Sequence, residues 1–242
     1  MAMQTSMVIE ELRAAREELL TAAPLLEHPV VQARLRGEFG REQLQALELQ
    51  HFYEAKYFST FVLNAVKRCD EDLEARKWMV ENFLDEASGD EDHATLILHL
   101  LDALGVPRAQ AYAVRPTPGL VAWHAILEDI TARRSFVEAM MPFYLEDTYP
   151  PVARALHRAY REHYGLPAAA IRTYEVHDAH DPVHGNRAQQ IVYRALEAEP
   201  RLLSRALQAM RDAYNAYLFS FDGYWQAATG RREFWSGVRP LL

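Results

Sequence analysis

Cysteine is almost absent from this chain: one residue in 242, Cys69. A lone thiol excludes an internal disulfide and any thiolate metal cage, and such sparing use suits a reducing compartment, so a cytoplasmic protein is expected. Basic charge is in deficit, with 26 Lys and Arg against 34 Asp and Glu, a formal charge of −8. No general attraction to phosphate backbones or anionic lipid follows from that balance, and neither nucleic acid nor a membrane surface is an expected partner. No stretch approaches the roughly 18 uninterrupted apolar residues of a spanning helix. The first residues, MAMQTSMVIEELRAAREELL, lack the basic start, apolar core and cleavage site of a secretion signal. Strand signals are also scarce, with no alternating Val/Ile/Thr runs and no Asn-Gly or Asp-Gly turn between such runs.

What remains is abundant Ala, Leu, Glu, Arg and Gln at helical spacing, which predicts an all-α fold. Gly105 before Pro107, Gly165 before Pro167, and the Thr117-Pro118 pair punctuate the chain as helix ends and starts. The pattern predicts helices near 5–21, 28–37, 41–68, 71–104, 118–134, 135–164, 168–195 and 199–228. No linker or low-complexity run divides them, so one domain over 1–242 is expected, a bundle with functional side chains pointing inward.

Two segments concentrate metal-type donors. In ENFLDEASGDEDH, Glu86 and His93 stand seven residues apart, which on a helix separates them by only about twenty degrees. In YEVHDAHDPVH, His177, Asp181 and His184 fall at i, i+4 and i+7 on one face. Glu146, in FYLEDTYPP, is a carboxylate inside an apolar helical stretch, where an unpaired charge is costly. The run 89–93 also reads as a solvated turn, and Asp90, Glu91, Asp92, Asp178 and His180 lie off the shared faces. Three carboxylates and three imidazoles suit two first-row cations, with iron expected, because carboxylates bridge and imidazoles terminate. Glu86, Glu146 and Asp181 are the catalytic candidates. Two ferrous ions carry four positive charges against three negative ones, leaving charge and coordination sites for oxygen or an anionic substrate. Pro182, inside the second segment, predicts a kinked or loosely formed helix.

The blocks LEARKWMVENFLDEASGDEDHATLILHLLDALGV at 73–106 and EVHDAHDPVH at 175–184 resemble the haem-oxygenase-like diiron oxidases, above all the para-aminobenzoate-forming branch. They are also similar to pyrroloquinoline-quinone synthases and TenA-type thiaminases. Similarity runs from LEHPVVQARLRGEFGREQLQAL at 26–47 through 184. The resemblance implies a bundle of seven or eight helices, a homodimer, and a diiron site held by Glu86, His93, Glu146, His177, Asp181 and His184. It departs where the para-aminobenzoate-forming enzymes carry a consumed tyrosine, here Val31, and a catalytic lysine, here Leu156. Those departures argue against a self-sacrificing synthesis. Cys69, flanked by Lys-Arg and Asp-Glu-Asp, is poorly placed for a thiaminase nucleophile.

On the helix over 41–68, Leu47, His51, Glu54, Phe58, Phe61 and Ala65 lie within about forty degrees of one direction. His51, Glu54 and Phe58 are the candidate substrate-binding residues; His51 and Glu54 read also as a mutually satisfied core pair, as support for the metals, or as contacts to a substrate amine. The expected chemistry is oxidation of a small molecule, an amino acid or its derivative, by dioxygen at a diferrous centre through a peroxo-diferric species. Desaturation, carbon–carbon cleavage, cyclisation or N-oxygenation are the outcomes the resemblance implies, with an external electron donor as a further partner. A metal-free oxidase like the quinone synthases and a metal-free helical binding or adaptor protein are the alternatives.

Overall fold

The computed structural model describes residues 2–235, with side chains from residue 7 onward. Twelve α-helices and four short 3-10 turns make up its regular structure, and no strand occurs among the described residues. In chain order the helices are α1 (Ala2–Ala22), α2 (Pro29–Leu35), α3 (Arg41–Arg68), α4 (Leu73–Ala87), α5 (His93–Ala103), α6 (Arg108–Tyr112), α7 (Pro118–Arg133), α8 (Phe136–Ala139), α9 (Met141–Tyr144), α10 (Pro150–Glu162), α11 (Arg172–Ala198) and α12 (Leu203–Thr229). The all-α expectation holds.

Helix α12 is the axis of the bundle, packed along α7 and α3, with α1, α2, α8 and α9 around it. Its approach to α7 is a backbone contact. A Cβ added to Gly119 would run into the Phe219 carbonyl, and one added to Gly223 into Leu120. That closeness lets Gln226 accept from the Gly119 amide at 3.1 Å. Phe61 of α3 meets Trp123 of α7 edge to face at 5.2 Å, and both are fully buried. Burying a large apolar side chain contributes ~1.5–3 kcal/mol, so this α3/α7/α12 wedge is the stable frame on which the other helices sit.

Two expected helices break, and both breaks matter. The helix expected over 71–104 divides into α4 and α5. Asp92 caps α5 by accepting from the Thr95 amide at 3.0 Å, while the Ser88 hydroxyl returns to the Leu84 carbonyl at 2.6 Å. Asp and Ser compete with the helix for backbone groups, and here they win on either side of Gly89, which has φ +79°. The helix expected over 135–164 is interrupted at Met140 and Leu145, leaving α8, α9, a 3-10 turn over Glu146–Thr148, and α10. Pro142 and Pro150 each start a new helix, because proline cannot continue the preceding hydrogen-bond ladder. Helix α11, by contrast, runs from Arg172 to Ala198 through Pro182.

Among the described residues no helix is long and apolar enough to cross a membrane.

Candidate metal centre and chamber

Glu86 and His93 do not share a helix: Glu86 ends α4 and His93 begins α5. The same-face argument for them fails, yet the turn over 88–92 folds them together, with His93 Nδ1 2.7 Å from Glu86 Oε2. Glu146 enters from the 3-10 turn rather than from a helix, correcting the helical placement. His177, Asp181 and His184 do lie on one face of α11. His93 and His177 stack with ring centroids 4.3 Å apart, and His184 Nδ1 stands 3.5 Å from Glu146 Oε2. Glu86, His93, Glu146, His177 and Asp181 form one wall of a chamber of about 100 Å³; His184 joins them from behind Glu146.

The electrostatics of this wall are unbalanced. Burial pushes Glu146 well above the usual carboxylate range, and the neighbouring Asp181 and Glu86 push it further. Asp181 is raised by burial and then by Glu86 and Asp147. Burial drives His177 well below its ordinary value, with His93 adding to the effect, and burial also lowers His184. His93 goes the other way: burial opposes its protonation, but the Glu86 carboxylate against it prevails.

Among the described residues no three His, Cys, Asp or Glu side chains already stand around a common point as ion ligands. The donors nevertheless fit a cation. Both oxygens of Glu146 and His184 Nδ1 are buried without a hydrogen bond, an arrangement costing roughly 1–3 kcal/mol per group unless something else satisfies it. His177 donates Nδ1–H to the Thr173 carbonyl at 2.8 Å, and His184 Nε2 bonds Asp85 at 3.1 Å. Each bond leaves the opposite ring nitrogen bare, as metal-binding histidines require.

Asp85, Asn82 and Gly185 were not legible as parts of this centre. Asp85 orients His184; Asn82 lies beside Glu146 and partly offsets its raised pKa. Gly185 carries no chemical group, but a Cβ there would lie 2.8 Å from the Asp147 amide nitrogen, so only glycine lets α11 lie against the Glu146 turn. Asp90, Glu91 and His180 are exposed, and Asp92 is the α5 cap.

His51, Glu54 and Phe58 line the same chamber, with Leu25, Leu145, Phe221 and Tyr217 among its other walls. Burial pushes the Glu54 pKa up to about 8, so this candidate substrate contact is mostly protonated at neutral pH. Cys69 caps α3, fully buried, its thiol pushed up to about 12 by burial and hydrogen-bonded to the Ala65 carbonyl. It is an inert packing residue outside the chamber wall.

These shifts set a pH dependence. Glu54, Glu146 and Asp181 have raised values when folded, so their stabilising contribution is full below the ordinary carboxylate range and is lost as pH rises through the folded values. The lowered histidines His28, His177 and His184 oppose this, adding stability as pH rises toward about 6.5. Above about pH 7 the carboxylate loss remains, joined by that of His93, whose value is raised by Glu86, and at higher pH by that of the buried Cys69 thiol. Calorimetry of the metal-free chain is expected to show a melting temperature falling between about pH 7 and 9, and Glu54→Gln is expected to flatten that fall near pH 8. A flat or rising profile in the unmodified chain contradicts the raised values.

A helical bundle with a carboxylate and histidine cluster opening on an internal chamber defines a haem-oxygenase-like protein. Solved structures share that fold. A protein from Shewanella denitrificans, described as a domain of unknown function with a heme oxygenase-like fold, has a TM-score of 0.70 at 15% identity, covering 93% of this chain and 96% of its own. A TenA homolog from Pseudomonas syringae has a TM-score of 0.72 at 14% identity, covering 90% of this chain and 92% of its own. The sequence matches the iron-containing redox enzyme family over residues 46–218, and the chain belongs to that family. A relative from Chlamydia muridarum named 4-aminobenzoate synthase is 27% identical over 206 residues, 85% of this chain and 86% of its own.

Proposed function

We propose that this chain is a non-haem diiron oxidase or oxygenase that uses dioxygen on a small amino acid or amino-acid-derived metabolite. The observation that carries the reading is the pair of buried groups without hydrogen-bond partners, both Glu146 oxygens and His184 Nδ1, beside Asp181, the Glu86–His93 pair and the bare edge of His177. Membership of an iron-containing redox family supports iron as the cation. Glu86, His93, Glu146, His177, Asp181 and His184 would hold the two ions, which when bound supply dioxygen binding and electron transfer.

The protein's own part is placement and exclusion. Thr173 and Asp85 fix the tautomers of His177 and His184. Phe58 packs edge to face on Phe143 at 6.1 Å, and with Leu25, Leu145 and Phe221 gives the chamber apolar walls that keep bulk water from a bound substrate. A chamber of about 100 Å³ fits a small substrate rather than a long acyl chain. Formation of 4-aminobenzoate, the activity in the relative's name, is not the favoured outcome. Val31 and Leu156, at the positions where the resemblance places a consumed tyrosine and a lysine, are fully buried and outside the chamber lining.

Anaerobic ferrous titration tests the reading. Uptake of about two irons per chain is expected, as a two-metal site requires, with uptake lost in Glu86→Ala and in His177→Ala. Mass spectrometry of products after oxygen exposure with an amino-acid panel then identifies the substrate. No uptake by the unmodified chain, or uptake unaltered by both substitutions, ends the proposal.

A further inference from the structure

Behind the chamber wall lies a second buried ionic cluster that the metal centre does not use. Glu48 of α3 is fully buried. Its Oε2 faces His51 Nδ1 at 2.8 Å, while Oε1 accepts from the Tyr160 hydroxyl and from the Tyr174 hydroxyl at 3.3 Å. Arg34, also fully buried, lies with its guanidinium 5.8 Å from the ring centre of Tyr224, itself part of the chamber wall. Burial alone would raise the Glu48 pKa, but the hydrogen bond with His51, the Arg34 charge and the Tyr160 hydroxyl together hold it below the usual range. Glu48 is therefore an ionised carboxylate in the core, kept so by these three neighbours, with the Tyr174 hydroxyl as a further donor to it.

An ionised acceptor at Nδ1 requires that nitrogen to carry the imidazole proton. Nε2 is then bare, and it makes no hydrogen bond among the described residues. The ring is fixed between Tyr174 at 6.2 Å and Tyr224 at 5.8 Å, and it lines the chamber. A buried carboxylate behind an imidazole stabilises the imidazolium that forms when Nε2 takes a proton, the same logic as a hydrolase triad. The Nδ1 edge of the ring is taken by Glu48, and the residue lines the chamber. On the chamber side the titratable groups are Glu54, largely protonated at neutral pH, the raised Glu146 and Asp181, the lowered His177, Glu86 with His93 at 2.7 Å from it, and Tyr149, Tyr217 and Tyr224.

We propose that His51 is the chamber's proton acceptor for a small primary amine, with Glu48 as its positioning residue. The N–H bond of the bound ammonium breaks, its electron pair stays on the amine nitrogen, and Nε2–H forms. The positive charge moves from the ligand to His51, where Glu48 neutralises it. The amine lone pair is thereby freed for oxidation. The inference rests on the chamber being an oxidation site, but its test is independent of iron uptake, so the two readings fail separately.

The test uses the full metal-free chain labelled with nitrogen-15 at histidine, with n-propylamine as the probe. Two-bond proton–nitrogen spectra report which ring nitrogen carries hydrogen, and His51→Gln identifies the His51 signal. The expected result is Nδ1–H with bare Nε2 in the free chain, and a gain of hydrogen at Nε2 as the amine saturates. Glu48→Gln is expected to weaken that response at least tenfold; Tyr160→Phe, a milder change, about threefold, as loss of one hydrogen bond to the carboxylate implies. An Nε2–H tautomer in the free chain, no change at Nε2 at saturating amine, or an unaltered response in folded Glu48→Gln and Tyr160→Phe overturns the proposal.

Discussion

Replacing Glu146 by leucine is expected to remove iron binding and, at the same time, to make the metal-free protein more stable. Both Glu146 oxygens are buried without hydrogen-bond partners, and the side chain stands among Asp181 and Glu86, whose charges raise its pKa along with burial. Without a cation this is an uncompensated carboxyl group in a closed wall. Exchanging a buried ionic group for an apolar one of similar volume is neutral or stabilising by ~1–4 kcal/mol. In a chain of this size each kcal/mol moves the melting temperature by about 2–4 °C. With iron present the order reverses, since a carboxylate able to bridge two ions is lost and retained iron falls below about one per chain. Metal analysis and calorimetry of both variants with and without iron measure the two effects. A variant that keeps its iron, or a metal-free variant that melts lower, contradicts this account of Glu146.

Valine at position 185 is expected to cost about 3 kcal/mol, the upper end of the overpacking range, and to abolish tight iron binding although it replaces no donor. The neighbours of a Cβ at Gly185 are the backbone nitrogen and the Cβ of Asp147, both at 2.8 Å, and neither can swing aside. Helix α11 must retreat from the 3-10 turn, carrying His184 away from Glu146, and the Gln189–Asp147 hydrogen bond at 2.9 Å opens as well. The melting temperature should fall by about 6–12 °C. Asn186→Val, one position along on the exposed face, is the control and should change it little. Equal behaviour of the two variants in calorimetry and metal analysis would show that the close approach is unimportant.

The donors were legible because their residue types are expensive to bury. Glu146 stood out as a carboxylate in an apolar stretch, and the α11 triad as donors on one helical face. The argument for Glu86 and His93 found a pair that does meet, but through a wrong premise: Asp92 and Ser88 break the helix, and the turn achieves what a shared face was expected to do. The inward stripe of α3 places His51, Glu54 and Phe58 in the chamber lining. Sequence spacing could not show that Glu54 is largely protonated or that Glu48, one turn earlier, is the partner of His51, since both depend on what lies opposite.

Composition and periodicity by themselves determined an all-helical chain and the positions of most helices, and pointed to metal-type side chains at Glu146 and on the α11 face, because helical propensity and the cost of burying charge are local properties. Only the tertiary structure decided that the Glu146 turn lies against α11, that Tyr160, Tyr174 and Arg34 hold Glu48 ionised, and that Gly185 is a contact point. Those are relations between segments up to 126 residues apart, and their energies arise only when packing excludes water between them.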